Sequence, residues 1–361
     1  MGKTSPHRGQ GIQMKHRLNS WALVLAGGDG SRLRSLTQND EGVAVPKQFC
    51  SLQGGPSLLA DALNRAAAVA PRERLCAVVA GQHRQWWADG TLDELPDSNV
   101  FVQPRNRGTA YGVLLPLVKI AARDPNPNAI VVLLPADHYF RNEAAIAASL
   151  RRVTVLATEN SDAIHLLGVE PDAADAELGY ILPSPNARCR SRRIVRFVEK
   201  PKAAQARRLI ELGALWNVFI IAASVRTLLN LYGPSFDATI AAMRHAEGAE
   251  LDELYQSLPE IDFSRDILEG NEAKLRVFTV PRCGWSDLGA LDRIALMVRH
   301  FEEERAVLGQ SPDLPTMTPP RGSLMGEYMR RQNGLQEPLS FSRPPALVFG
   351  PNLWSHDAKL P

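Results

Sequence analysis

The chain has 361 residues, 45% of them hydrophobic and 22% charged, with 26 Gly and 26 Pro spread along it. That make-up belongs to a soluble globular protein of one or two domains, and with no fixed-period repeat it excludes collagen-like, low-complexity and solenoid chains. The 41 Lys and Arg against 39 Asp and Glu leave a net charge of +2, so no single-sign field recommends nucleic acid or a membrane, and a small-molecule partner is expected.

Residues 1–20 are polar and basic, with Lys3, Arg8, Lys15 and Arg17 and no apolar block, and read as a flexible tail and not as a secretory signal. An apolar run over 21–26 (WALVLA) stops at Gly27-Gly28-Asp29-Gly30, the pattern of a buried strand ending in a glycine loop. Further strands are expected over 75–80, 100–102, 129–134 and 165–169, and the intervening segments 57–70, 110–123 and 143–158 have helical spacing. The alternation predicts an α/β fold with a mostly parallel sheet and helices on both faces, in which ligands bind beyond the carboxyl ends of the strands. Strands over 192–198 and 275–280 and a helix over 202–212 suggest a mixed extension of the sheet. After residue 300 periodicity fades, and nine prolines fall between Ser311 and Pro361, so 301–361 is expected to be a tail or a surface-wrapping segment.

Cys50, Cys76, Cys189 and Cys283 form no CxxC pair, which suggests neither a zinc site nor a disulfide framework and points to the cytoplasm. No apolar stretch approaches the roughly 20 residues of a membrane span.

The loops after the strands carry the chemistry. In Gly27-Gly28-Asp29-Gly30-Ser31-Arg32 and the following Pro46-Lys47, glycines let backbone N–H groups approach an anion, and Arg32 and Lys47 add positive charge. The loop lacks the GK[ST] of a Walker sequence, and Leu33 stands where a dinucleotide loop has its third glycine. By itself it fits a tight turn equally well. Asp137, in Pro135-Ala136-Asp137-His138, follows a strand and suits Mg²⁺ through oxygen, or else caps a turn. His138 has no second His or Cys at ligand spacing and reads as structural. Glu199-Lys200 could meet sugar hydroxyls and a phosphate, or form an exposed ion pair. In Gly284-Trp285-Ser286-Asp287-Leu288-Gly289, a second acid is framed by glycines.

Taken in order, these pieces resemble the sugar-nucleotide pyrophosphorylases, and among them the bacterial mannose-1-phosphate guanylyltransferases. The resemblance covers roughly 21–300 and rests on PKQF at 46–49, QHR at 82–84, NRGTA at 106–110, PADH at 135–138 and Gly179-Tyr180. It continues with FVEKP at 197–201, Trp216-Asn217, IDF at 261–263 and GWSDLG at 284–289. The resemblance implies a Rossmann-like, GT-A-like nucleotidyltransferase domain over 21–300 that makes GDP-mannose, or a close analogue, from GTP and a sugar 1-phosphate. It implies that Ala26, Gly27, Gly28, Gly30 and Arg32 hold the triphosphate, that Lys47 grips phosphate, and that Gly108 and Thr109 lie against the base. Asp137 and Asp287 would hold Mg²⁺, Gly179, Glu199 and Asn217 would meet the sugar, and Lys200 its phosphate. Such proteins commonly self-associate, so a homo-oligomer is expected. One departure stands out: Val218-Phe219 follows Trp216-Asn217 where the family has Ser-Gly, setting bulky apolar residues beside the sugar.

Overall fold

The run that ends at Ala26 is a central strand. The computed structural model describes residues 20–34, 36–38, 43–88, 90, 92–185, 191–307 and 323–332. The tail expected before Ser20, most of the segment 301–361, Cys189 and residues 39–42 lie outside the described residues. β1 (Ser20–Ala26) runs parallel between β2 (Leu75–Ala80) and the strand Ile130–Pro135, and the strand Val100–Gln103 lies outside β2. Numbering in chain order, these last two are β3 (Val100–Gln103) and β4 (Ile130–Pro135). Ala26 pairs with Val79 and Leu25 with Pro135, so β1, β2 and β4 end level and their following loops share one edge of the sheet.

The chain continues through β5 (Tyr139–Phe140), β6 (Ile164–Val169), β7 (Tyr180–Pro183), β8 (Ser191–Val198), β9 (Leu215–Ser224), β10 (Leu275–Thr279) and β11 (Trp285–Ser286). The large sheet has the order β3-β2-β1-β4-β9-β6-β10-β8-β7, and β7 also pairs with β9. Its first half is parallel, as the strand–helix alternation predicts. The second half is mixed: β9 runs antiparallel to β4, β6 and β7, while β10 is parallel to β6 and antiparallel to β8. β9 is absent from the sequence reading because LWNVFIIAAS is buried almost throughout and shows no alternation to separate it from a buried helix.

Alternate residues of β1 feed two cores. Ala22, Val24 and Ala26 join Leu59 and Leu63 of the helix Leu58–Ala66 and Leu150 of the helix Glu143–Glu159. Trp21 and Leu23 face Leu114 and Leu117 of the helix Thr109–Arg123. Helices therefore cover both faces. Their starts are set locally, by Ser57 accepting from the Ala60 N–H and Asn142 from that of Ala145. The helix Leu291–Val307 runs from the expected domain into the segment expected to be a tail, and within that segment Leu324–Gln332 is helical. Leu324 and Met325 join the first core and donate their backbone N–H groups to Ser51 and Leu52 at 3.0 and 3.1 Å. No helix among the described residues is long and apolar enough to cross a membrane.

Candidate functional site

A cavity of about 430 Å³ opens where β1 and β4 end. The glycine loop forms one wall. Gly30 has φ +59°, and a Cβ there would come within 2.9 Å of the Lys47 backbone nitrogen; at Gly27 it would meet Gln103 Oε1 at 2.7 Å, whereas Gly28 faces open space. Gln48 sits buried behind the loop, its Nε2 donating to the carbonyls of Ala26 and Gly28 at 2.9 and 2.8 Å. Two carbonyls are thereby tied to the protein interior. Asp29 accepts from Gln82 at 2.6 Å and Asn106 at 3.1 Å. Arg32 stays on the cavity wall, exposed and 3.3 Å from Glu177.

The acidic loops meet through pairing between remote segments. Antiparallel β5 and β11 align Tyr139 with Ser286 and Phe140 with Trp285, which brings Asp137 and Asp287 to one wall of the cavity. Lys47 joins them from behind. Its side chain is 6% exposed and its ammonium is 2.9 Å from Asp137 Oδ2, while donating to the carbonyls of Asp287 at 2.6 Å and Leu288 at 3.3 Å. An ammonium has three donors, and these three acceptors engage them. Instead of opening toward a phosphate, as the sequence leads one to expect, Lys47 orders the two loops.

Burial pushes the Asp137 carboxyl up, but Lys47 and then His138 outweigh it and hold Asp137 below the ordinary carboxylate range. Burial pushes His138 down to about 4 despite the Asp137 and Asp287 charges, and its Nδ1 accepts from Trp285 Nε1 at 3.2 Å. The imidazole is therefore neutral at pH 7. Asp287 Oδ1 accepts from the Gly289 N–H at 3.0 Å and pairs with Arg293 at 2.8 Å. Arg293 also pairs with Asp175 and lies over the Trp216 ring, 5.7 Å from its centroid. No trio of His, Cys, Asp or Glu among the described residues forms a metal cluster. Two carboxylates on one cavity wall do fit Mg²⁺, an ion commonly held by one or two carboxylates completed by phosphate oxygens and water.

Gly108 caps the helix Thr109–Arg123 with φ +86°, and a Cβ there would run into the Ile261 carbonyl. Thr109 Oγ1 donates to Asp262 at 3.3 Å and accepts from the Phe263 N–H at 2.7 Å. On the far wall, the Gly179 carbonyl accepts from the Asn217 N–H at 2.8 Å, and a Cβ on Gly179 would meet Glu199 Oε2 at 2.6 Å. Burial, with the Asp262 charge, pushes Glu199 up to about 7. Lys200 is exposed at the cavity in left-handed backbone, φ +48°. All the predicted site residues except Ala26 and Lys47 thus line this one cavity.

The model of the nucleotidyl transferase family matches residues 21–304. The chain belongs to that family. It is 30% identical over 285 residues to the xanthan biosynthesis protein XanB of Xanthomonas campestris, covering 74% of this chain and 57% of XanB. Over 307 residues it is 27% identical to the mannose-1-phosphate guanylyltransferase of Escherichia coli, covering 78% of this chain and 60% of that protein. The chain therefore spans somewhat more than half the length of these relatives. A crystal structure from Thermus thermophilus, titled a mannose-1-phosphate geranyltransferase, superposes with a TM-score of 0.67 at 30% identity, covering 77% of this chain and 79% of that one.

Beyond the residues that the sequence nominates for this nucleotidyl transferase, the structure adds Gln48, Asp262 and Arg293, and it puts Phe219, which the sequence sets beside the sugar, on the cavity wall. Gln48 and Asp262 lie inside the PKQF and IDF segments, but nothing local says that Gln48 clamps carbonyls or that Asp262 reaches Thr109. Arg293 has no sequence signal, since its partners are remote in the chain.

Proposed function

We propose that this chain joins GTP to mannose 1-phosphate, or to a close hexose 1-phosphate, giving GDP-mannose and pyrophosphate. The observation that carries this reading is that the glycine loop, the Asp137–Asp287 wall and the Gly179, Glu199, Lys200 and Asn217 wall face one cavity. The names of the mannose-1-phosphate guanylyltransferase relatives support the choice of sugar and nucleotide.

In this reading a phosphate oxygen of the sugar 1-phosphate attacks the α-phosphorus of GTP. A new P–O bond forms as the α–β P–O bond breaks, and its electron pair leaves with pyrophosphate. The attacking oxygen is already ionised at neutral pH, so no side chain need remove a proton. The obstacle is repulsion between two polyanions, and the chain answers it with cations and alignment. The glycine loop and Arg32 hold the triphosphate, Gly108 and Thr109 border the base, and Lys200 meets the sugar phosphate. Glu199, Asn217 and the Gly179 backbone orient the sugar, and Lys47 acts through Asp137 and the loop carbonyls. Asp137 and Asp287 would hold Mg²⁺, which when bound neutralises phosphate charge.

Pyrophosphate release from GTP, mannose 1-phosphate and Mg²⁺ tests the proposal, run beside D137N and D287N and a panel of other nucleotide and sugar phosphate pairs. Each variant is expected to lose on the order of 10²–10³ in rate, as removal of a preorganised electrostatic group does. Release with another pair alone would reassign the substrates. Binding of GDP-mannose without turnover of any pair would replace the enzyme with a sugar-nucleotide-binding regulator, a reading that the fully engaged Lys47 ammonium favours.

A further inference from the structure

β9 pairs with β6 through Asn217↔Gly168 and Ile221↔Leu166, so Val218, Phe219 and Ile220 together oppose Leu167 alone. The bulge lies where β9 passes from its pairing with β7, at Trp216↔Tyr180, to its pairing with β4, at Ile221↔Leu133. At its centre Phe219 has φ +53° and its N–H donates to Asn217 Oδ1 at 3.1 Å. Left-handed backbone in a bulge is met most easily by glycine. For a bulky residue it is a strained outlier, of the kind that clusters at functional sites. The turn of the strand therefore does not call for a phenyl ring.

The ring has a different use. Val218 and Ile220 are fully buried in the core, while Phe219 lines the cavity beside Glu199 and Asn217. From the protein side it is backed edge-on by Phe263, with ring centroids 6.0 Å apart, and Phe263 in turn packs on Tyr232 at 5.9 Å. The bulge thus holds a fixed apolar wall at the end of the cavity where polar groups converge.

Resting on the sugar-phosphate reading above, we propose that Phe219 is a specificity-determining residue. Its ring shortens the sugar end of the cavity, so that a hexose 1-phosphate bearing only hydroxyl substituents is admitted and one bearing an N-acylamino substituent is not.

Calorimetric titration of the full chain with mannose 1-phosphate and with N-acetylmannosamine 1-phosphate tests this directly, using wild type, F219G and F219A. Thermal melts identify folded variants. Wild type is expected to favour the smaller ligand by about 100-fold, and both variants to narrow that ratio below about tenfold, the scale on which apolar pockets discriminate by size. Alanine keeps the strained φ and glycine relaxes it, so equal shifts tie selection to the ring. A ratio unchanged in the folded variants, a shift in the glycine variant alone, or equal affinities in wild type would overturn the proposal. Wild type that binds and discriminates but releases no pyrophosphate would overturn the transferase reading and leave Phe219 as the filter. Failure to bind either ligand would overturn both.

Discussion

Lys47 Nζ lies 2.9 Å from Asp137 Oδ2, and the same buried ammonium donates to the carbonyls of Asp287 and Leu288. One cation thus fastens together two acidic loops that are 150 positions apart in the sequence.

Lys47→Met keeps the apolar stem and removes the donor. It leaves a carboxylate and two carbonyls without their partner, and because Asp137 is itself 38% exposed the expected loss is about 2–3 kcal/mol, short of that for a fully buried pair. Denaturant midpoints measure it. A change under about 0.5 kcal/mol would show that the ammonium does not hold the loops.

Glu199 titrates near 7 in the folded chain against an ordinary value of 4.5. Between those two values the folded state binds more protons than the unfolded one, so this group makes stability fall as pH rises, and its ionised form is a standing cost at pH 8. Glu199→Gln is therefore expected to flatten the pH dependence between 5 and 8 and to melt above wild type at pH 8, while weakening sugar phosphate binding. Melting curves at the two ends of that window decide it; an unchanged slope would contradict the burial argument.

Arg293 bridges Asp175 and Asp287. Burial raises the Asp175 carboxyl, but its hydrogen bonds from Glu177 and Arg293, with the Arg293 charge, bring it below the ordinary range. Its contribution to stability is present above the unfolded carboxylate pKa, near 3.9, and is lost as pH falls through the lower folded value. R293M is expected to cost about 3 kcal/mol at pH 7 and less below pH 3. In a double-mutant cycle with D175N the costs should fall short of additive by at least about 0.5 kcal/mol; additivity would mean that the bridge is not energetic.

Two glycines of the site separate folding from binding. Gly108→Ala drives a Cβ into the Ile261 carbonyl at φ +86° and should cost at least about 2 kcal/mol. Gly28→Ala meets nothing within 4 Å, so it should fold within about 0.5 kcal/mol of wild type yet, in the proposed reaction, weaken binding of the nucleotide, because its methyl stands on the cavity wall. Equal stabilities for the two variants would argue against the loop geometry described above.

Much of this protein was legible in its residues because the information is local. The parallel half of the sheet follows from short apolar runs ending in loops, the helices over 57–70, 110–123 and 143–158 from their spacing, and the glycine, PADH, VEK and GWSDLG loops from their own composition. β9 was not legible, since a strand buried throughout has no alternation to read. Nor was the direction of Lys47, whose type suits a phosphate as well as a carboxylate. Its three acceptors, the pairing of β5 with β11, the Arg293 bridge and the bulge that turns Phe219 to the cavity all depend on residues tens to hundreds of positions apart. The residue types name the chemical groups available and the loops that present them; packing assigns which groups face the cavity and which hold the others in place, because burial and partner choice are settled only when remote segments meet.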